Sequence, residues 1–368
     1  MNDIVRQKLD RIEALFPPER LNPCRRRLDQ LWHGEMPDRY PFTYMPVTCD
    51  YYDAVDDPET RLHKMLDESI LHGMFHDDWI PALFPGCRQS TIPNMLGAEE
   101  IVLGGDYTSS KIVRQVEDVE RLQGPAIRPG SVARQWLDMQ RYFLDETDGR
   151  IPIHVADMQG PLDASAQLWS YDGLITAAYT DPDAYQRMMA LAMKAFVLFW
   201  EAQRDLLGDL FVPTHLWGWN WAPPDAGASL SFDALVMVSP GFYEQFARPW
   251  LVKIGEGFGG LAIHSCGDFS HMVRSVCETP TVRSINAAQM SVEMLLKAGL
   301  DSRILVTTMF DAEQAPSTFR LIREHNLRVD ATISGVIPSP NPDDWDAAAW
   351  SSIQKKEDAI LKAVAGNL

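Results

Sequence analysis

From residue 150 onward, short β-rich runs alternate with helical patterns, and this rhythm constrains the fold more than any other feature of the chain. The β-rich runs cover 151–157, 211–217, 260–266, 282–287, 304–308 and 327–333. Helical spacing of apolar residues fills roughly 181–208, 239–257, 268–278, 290–299, 313–325 and 342–364. Asp181-Pro182 and Ser239-Pro240 are good helix starts, because a small polar cap precedes a proline whose missing N–H costs nothing in the first turn. Strands that alternate with helices build a parallel sheet. About six such units, with room for two more upstream, predict an α/β fold: a single (β/α)8 TIM barrel over residues 1–368. Residues 3–16 carry Ile4, Leu9, Ile12, Leu15 and Phe16 at helical spacing and stop at Pro17-Pro18, so about 1–40 reads as an N-terminal helical extension. A further helical stripe runs from Arg61 to His76. The glycines between Gly255 and Gly260 precede a strand and follow none, so they are no dinucleotide or phosphate loop.

Thirty-three lysines and arginines against fifty-one aspartates and glutamates give a formal charge of −18. Such a field repels phosphate backbones and anionic lipid, so neither nucleic acid nor membrane is expected as a partner. The first ten residues are charged throughout, which is unlike a signal peptide, and the most apolar stretch, 190–200, contains Lys194. A cytoplasmic location is expected. Five scattered cysteines, an odd number in a long chain, read as reduced thiols, some of them available to a metal.

In a barrel the chemistry gathers where strands end. The sharpest feature is His264-Ser265-Cys266-Gly267-Asp268. Strand side chains alternate, so His264 and Cys266 point the same way, and imidazole with thiolate is a natural pair of zinc ligands. The competing reading is a histidine and a small cysteine that simply line the barrel. Asp77 and Asp78 are adjacent carboxylates before Trp79-Ile80-Pro81 and are candidate proton carriers, or a solvated pair. Asp157 and Gln159 end another β-run, as substrate ligands or as caps of the turn. In extended chain His215, Trp217, Trp219 and Trp221 share one face, as the wall of a flat apolar ligand or as core. Asp233 and Asp311 lie near strand ends, where either completes a metal shell or carries a proton.

The stretch from Phe258 to Asp268 resembles the uroporphyrinogen decarboxylase superfamily, and most of all its branch of corrinoid-dependent methyltransferases. Asp157-Met158-Gln159-Gly160-Pro161-Leu162, the 238–246 segment and Ser334-Gly335-Val336-Ile337-Pro338 support it, so the resemblance spans about residues 70–350. It implies a TIM barrel, subunits that commonly pair into a homodimer, and a zinc ion held by a His-x-Cys pair with a second, late cysteine. His264 and Cys266 match the pair. No cysteine follows Cys277, and Ser334 stands near the expected place, which leaves Asp311, Asp233, Asp330 or Glu324 to complete the shell. The arginine-rich motif of the true decarboxylases is missing from 42–52, and Ser334 also stands where their histidine is expected. A porphyrinogen with eight carboxylates needs fixed cations, so the porphyrinogen reaction itself is not expected.

Three functions follow from this reading. The first is metal-activated methyl transfer between a corrinoid, supplied by a partner protein, and a small acceptor. Zinc would lie on His264, Cys266 and Asp311, with Asp77, Asp78, Asp157 and Asp233 as catalytic groups. Gln159, His215, Trp217, Trp219 and Ser334 would line the substrate. The second is a decarboxylase or other lyase acting on a carboxylate substrate through Asp77 or Asp78. The third is a non-catalytic barrel that binds a ligand.

Overall fold

A computed structural model describes residues 2–48, 57–104, 106–215, 220–287 and 289–366. Ten strands occur among them: β1 (Phe42–Tyr44), β2 (Glu100–Leu103), β3 (Asp106–Ser109), β4 (Ile153–His154), β5 (Phe211–Val212), β6 (Ala228–Ser231), β7 (Leu261–Ser265), β8 (Val282–Ala287), β9 (Leu305–Asp311) and β10 (Arg328–Ser334). The main sheet has six strands in the order β1-β10-β9-β8-β7-β6, and every pair in it is parallel. β4 and β5 form a separate parallel pair, and β2–β3 an antiparallel hairpin. Helices connect the late strands as expected, with Pro182–Leu207 the longest and Arg248–Phe258, Val292–Lys297 and Ala315–Glu324 following.

The closed barrel expected from the sequence is not present as a continuous ladder among the described residues. Beyond the six-stranded sheet the hydrogen bonding thins to isolated parallel bridges, Leu83 to Ile153, Cys87 to Asp157 and Gln159 to Ser231. A bond from Asp78 N–H to Phe42 O (2.7 Å) links the first of these segments to β1. Proline explains the gap. Pro81, Pro85, Pro152 and Pro213 lie in or beside these segments, and each removes a donor that a ladder would need.

The connection from β5 to β6 also departs from the rhythm, because no helix occurs in its described part. Pro223 and Pro224 prevent one. Ala222 and Ala226 instead pack with Leu31 and Trp32 of the helix Pro18–Trp32 and with Ala262 and Leu305 at the starts of β7 and β9. The N-terminal end of the sheet is therefore capped by apolar side chains, while polar residues occupy one level above. Ser231, His264, Asn286, Thr307 and Asp330 follow one another in register on β6 to β10, and all are buried. The N-terminal extension is helical, as expected, over Asp3–Leu15 and Pro18–Trp32. No helix among the described residues is long and apolar enough to cross a membrane.

Candidate metal centre

β7 is apolar until its end, and Leu261 and Ile263 pack into the core while His264 faces the polar interior. Gly267 then turns the chain at φ +78°, a left-handed conformation that disfavours a side chain, and a Cβ there would meet Val236 Cγ1 at 2.9 Å. The alternation read from the sequence holds: His264 Nε2 lies 3.3 Å from Cys266 Sγ. The third member comes from the end of the neighbouring strand. β6 is aligned with β7 through Ser231 and His264, Phe232 N–H donates to His264 O (2.7 Å), and Asp233 follows. Its Oδ1 accepts Cys266 N–H at 2.8 Å. One ligand atom each from Asp233, His264 and Cys266 lies within 4.8 Å of the others.

This donor set suits zinc. Bonds of about 2.0–2.1 Å to nitrogen and 2.3 Å to sulfur at a tetrahedral angle would hold the two atoms ~3.5 Å apart, close to the spacing present. Three protein ligands leave a fourth position for substrate, the arrangement of catalytic rather than structural sites. The tautomer is prepared as well. Asn286, the partner of His264 on β8, donates from Nδ2 to Thr307 O (3.2 Å), which turns its Oδ1 toward His264 Nδ1. Nδ1 must then carry the proton, and the Nε2 lone pair faces Cys266. Burial pushes the imidazole pKa down, but Cys266, Asp233 and Asn286 outweigh it and hold it above its ordinary value. Removing an outer partner of this kind commonly costs 10–100-fold in metal affinity. Asn286→Ala is expected to weaken zinc binding by about that factor in a chelator competition, and unchanged affinity would show that the amide does not orient the ligand.

Asp233 is held from behind. Gln159 Nε2 approaches its Oδ2 at 3.5 Å, and Gln167 donates in turn to Gln159 Oε1. Asp163, in the first turn of the helix Pro161–Leu168, accepts Ala234 N–H (2.8 Å) and Tyr171 O–H (2.9 Å), which fixes the turn that presents Asp233. Burial and the nearby Asp233 charge raise the Asp163 pKa well above the ordinary carboxylate range.

The other residues singled out from the sequence lie elsewhere. Asp311 does not complete the triad. It ends β9, two strands beyond β7, where it is exposed and accepts a hydrogen bond from Ser334 Oγ, its register partner on β10. Asp233 occupies the position expected of it, because β6 and not β9 borders β7. Asp78 lies against Phe42 at the start of β1, and Asp77 against Tyr44 at its end. Asp78 is gripped by Arg27 Nη1 (2.5 Å), Arg39 Nη1 (2.6 Å) and Phe42 N–H (3.1 Å). Asp77 accepts Tyr44 N–H (3.2 Å) and lies 2.5 Å from Nδ1 of His72, whose imidazole sits between Asp77 and Glu68. Burial would lower the His72 pKa, but the two carboxylates raise it to about 9. Asp157 and His215 meet each other, with Nε2 2.9 Å from Oδ1. Trp217 and Trp219 lie outside the described residues. Gln289, whose side chain accepts Gly267 N–H, also borders a cavity of about 500 Å³ with Met290, Thr308, Met309 and Phe310 at the ends of β8 and β9.

Asn286, Asp163 and Cys87 were not singled out from the sequence. A polar residue inside an apolar β-run, such as Asn286 within 282–287, is the signal that would have marked the first of them.

No family model and no curated protein sequence matches the chain. Among solved structures it is similar to a methyltransferase from Methanosarcina mazei, with a TM-score of 0.62 at 14% sequence identity over 92% of this chain and 99% of that one. At this identity the likeness is one of fold.

Proposed function

We propose that the chain is a metal-dependent methyltransferase that moves a methyl group from a corrinoid, carried by a partner protein, to a small acceptor such as a thiol. The observation that carries the reading is the Asp233–His264–Cys266 triad at adjacent strand ends. The fold likeness to a methyltransferase supports it. We read the sheet and its isolated bridges as a (β/α)8 barrel whose proline-rich side is loosely bonded.

Asp233, His264 and Cys266 would hold zinc, which supplies a Lewis acid that lowers the acceptor's pKa. The protein's own part is orientation. Asn286 fixes His264, while Gln159 and Asp163 fix Asp233 and its turn, so the donors converge before any ion arrives. Against the lyase reading, Asp77 and Asp78 accept from cations and backbone donors.

Elemental analysis tests the proposal. Purified protein supplied with zinc should hold about one ion per chain, and His264→Ala with Cys266→Ala should abolish it, as should Asp233→Ala in large part. A wild-type protein that stays metal-free would overturn the reading.

A further inference from the structure

At the other end of the sheet from the triad, three arginines border one cavity. Arg283 is the second residue of β8, Arg303 stands just before β9, and Arg328 opens β10. Leu305 of β9 pairs with both Ser284 and Arg328, so Arg283 and Arg328 flank β9 at nearly one level. All three line a cavity of about 440 Å³ together with Trp32, His33 and Gly34. Two of the guanidinium groups also reach the end of the helix Pro18–Trp32. Arg328 Nη1 donates to Leu31 O (3.1 Å), and Arg283 donates from Nη2 to Trp32 O (2.8 Å) and from Nη1 to Asp225 O (2.5 Å). Nε and Nη2 of Arg328 and Nε of Arg283 are left over, and neither side chain forms an ion pair with a carboxylate among the described residues. The carboxylates nearby are engaged by other groups. Asp301 takes Nε and Nη2 of Arg303, which leaves Arg303 Nη1, and Asp225 Oδ2 lies 2.9 Å from His33 Nε2. Glu278 lines the cavity too, but it is exposed and pairs with none of the three.

The helix end explains part of this cluster, since a C-terminus carries about half a negative charge and attracts cations. Half a charge does not balance two guanidinium groups, and the excess stands out in a chain of net charge −18. Burial and the Arg283 charge together push the Arg328 pKa below its ordinary value, against the field of Asp301. We propose that the cavity takes a phosphate dianion, free or carried by a small phosphomonoester, between the guanidinium groups of Arg283, Arg303 and Arg328. A cleft walled by one sign of charge concentrates ions of the other. Guanidinium forks match phosphate oxygens, and a tetrahedral dianion accepts from several directions at once, which suits donors from three successive strands. Gly34, at φ +84°, keeps room beside them, because a Cβ there would lie 3.1 Å from Arg328 Nη1. His33 takes no part: its Nδ1 is engaged by Asp29 O and its Nε2 by Asp225. The arginines stand at strand starts and the triad at strand ends, so the proposal is independent of the methyl-transfer reading. A bound phosphate would tie the sheet more firmly to the helix Pro18–Trp32.

Calorimetric titration with inorganic phosphate and with glycerol 3-phosphate tests it, near pH 8 where both are dianions and with ionic strength held by sodium chloride. Wild type should bind at least one of them with a Kd below about 1 mM. Tighter binding of the ester marks a phosphomonoester site, and tighter binding of inorganic phosphate a site for the free ion. Arg328→Lys keeps the charge but loses the fork and should weaken binding about tenfold. Arg303→Gln changes a side chain that is 82% exposed, so the fold is spared, and it should weaken binding about threefold. A purely structural clamp on the helix would leave phosphate affinity indifferent to Arg303. Zinc itself attracts phosphate, so the His264→Ala, Cys266→Ala double variant is titrated as well and should bind as wild type does. The proposal is overturned if neither anion binds at about 10 mM, if both arginine variants bind as tightly as wild type, or if binding disappears in the double variant, which would put the anion on the metal.

Discussion

Asp78→Ala is expected to cost about 3–5 kcal/mol of folding stability, the range for breaking a buried ion pair from one side. The carboxylate is 1% exposed and is the common partner of Arg27 and Arg39, whose guanidinium groups are largely buried. It also accepts Phe42 N–H, the first donor of β1. Alanine would take the buried carboxylate from two cations, leaving Arg27 with the exposed Asp38 and Arg39 with a main-chain carbonyl, would strip one main-chain donor, and would loosen the helix Pro18–Trp32, which carries Arg27, from the sheet. Asp78→Asn should lose less, because its side-chain oxygen still accepts the backbone bond. Urea denaturation followed by circular dichroism gives the difference. A variant that is as stable as wild type yet catalytically dead would return Asp78 to the role of proton carrier.

The second large effect concerns Asp330, the β10 member of the polar row. Burial raises its carboxyl to about 7, against the lowering effect of a hydrogen bond from Asn220 Nδ2 to Oδ2 (2.9 Å). Asp330 Oδ1 and Asn220 Oδ1 are both buried without a donor, which favours the neutral acid over an ionised carboxylate at Asp330. A raised carboxyl means that the native state binds more protons than the unfolded chain between its ordinary pKa and about 7. Stability from this group is full below that window, falls as pH rises through it, and levels off above. At about 1.4 kcal/mol per unit the whole loss amounts to at most ~4 kcal/mol. Asp330→Asn keeps an acceptor for Asn220 and cannot ionise, so it should gain on wild type by up to about 3 kcal/mol between pH 4.5 and pH 8. Denaturation curves of both proteins at the two pH values measure the gain. A difference between them that is the same at both pH values would mean that Asp330 does not titrate there.

Much of this fold was legible because its signals are local. The 282–287 run matches β8, and the helical patterns at 181–208 and 313–325 fall within a few residues of the helices formed. The spacing of His264 and Cys266 announced a shared face, and the side chains meet. The upstream half was harder. The helix Val132–Thr147 was not read, and Pro18–Trp32 was covered only by the broad 1–40 extension, because Pro23 interrupts its pattern. β6 was missed as a strand, since Ala-Ser-Leu-Ser carries too little apolar signal for a segment that is wholly buried.

What the sequence determined alone is the parallel α/β character, the helical start and the shared face of His264 and Cys266 on β7, because each depends on periodicity within a few residues. The place of Asp233 beside that pair, the ion-pair cages around Asp77 and Asp78 and the Asp157–His215 cluster were decided only by the tertiary structure. Asp233 and Asp311 both stand near strand ends and are chemically alike, and only the order β8-β7-β6 puts one of them beside Cys266. Asp157 and His215 are separated by nearly sixty residues along the chain. Contacts between distant segments follow from which strands become neighbours, and strand order is set by the packing of the whole sheet rather than by any local pattern.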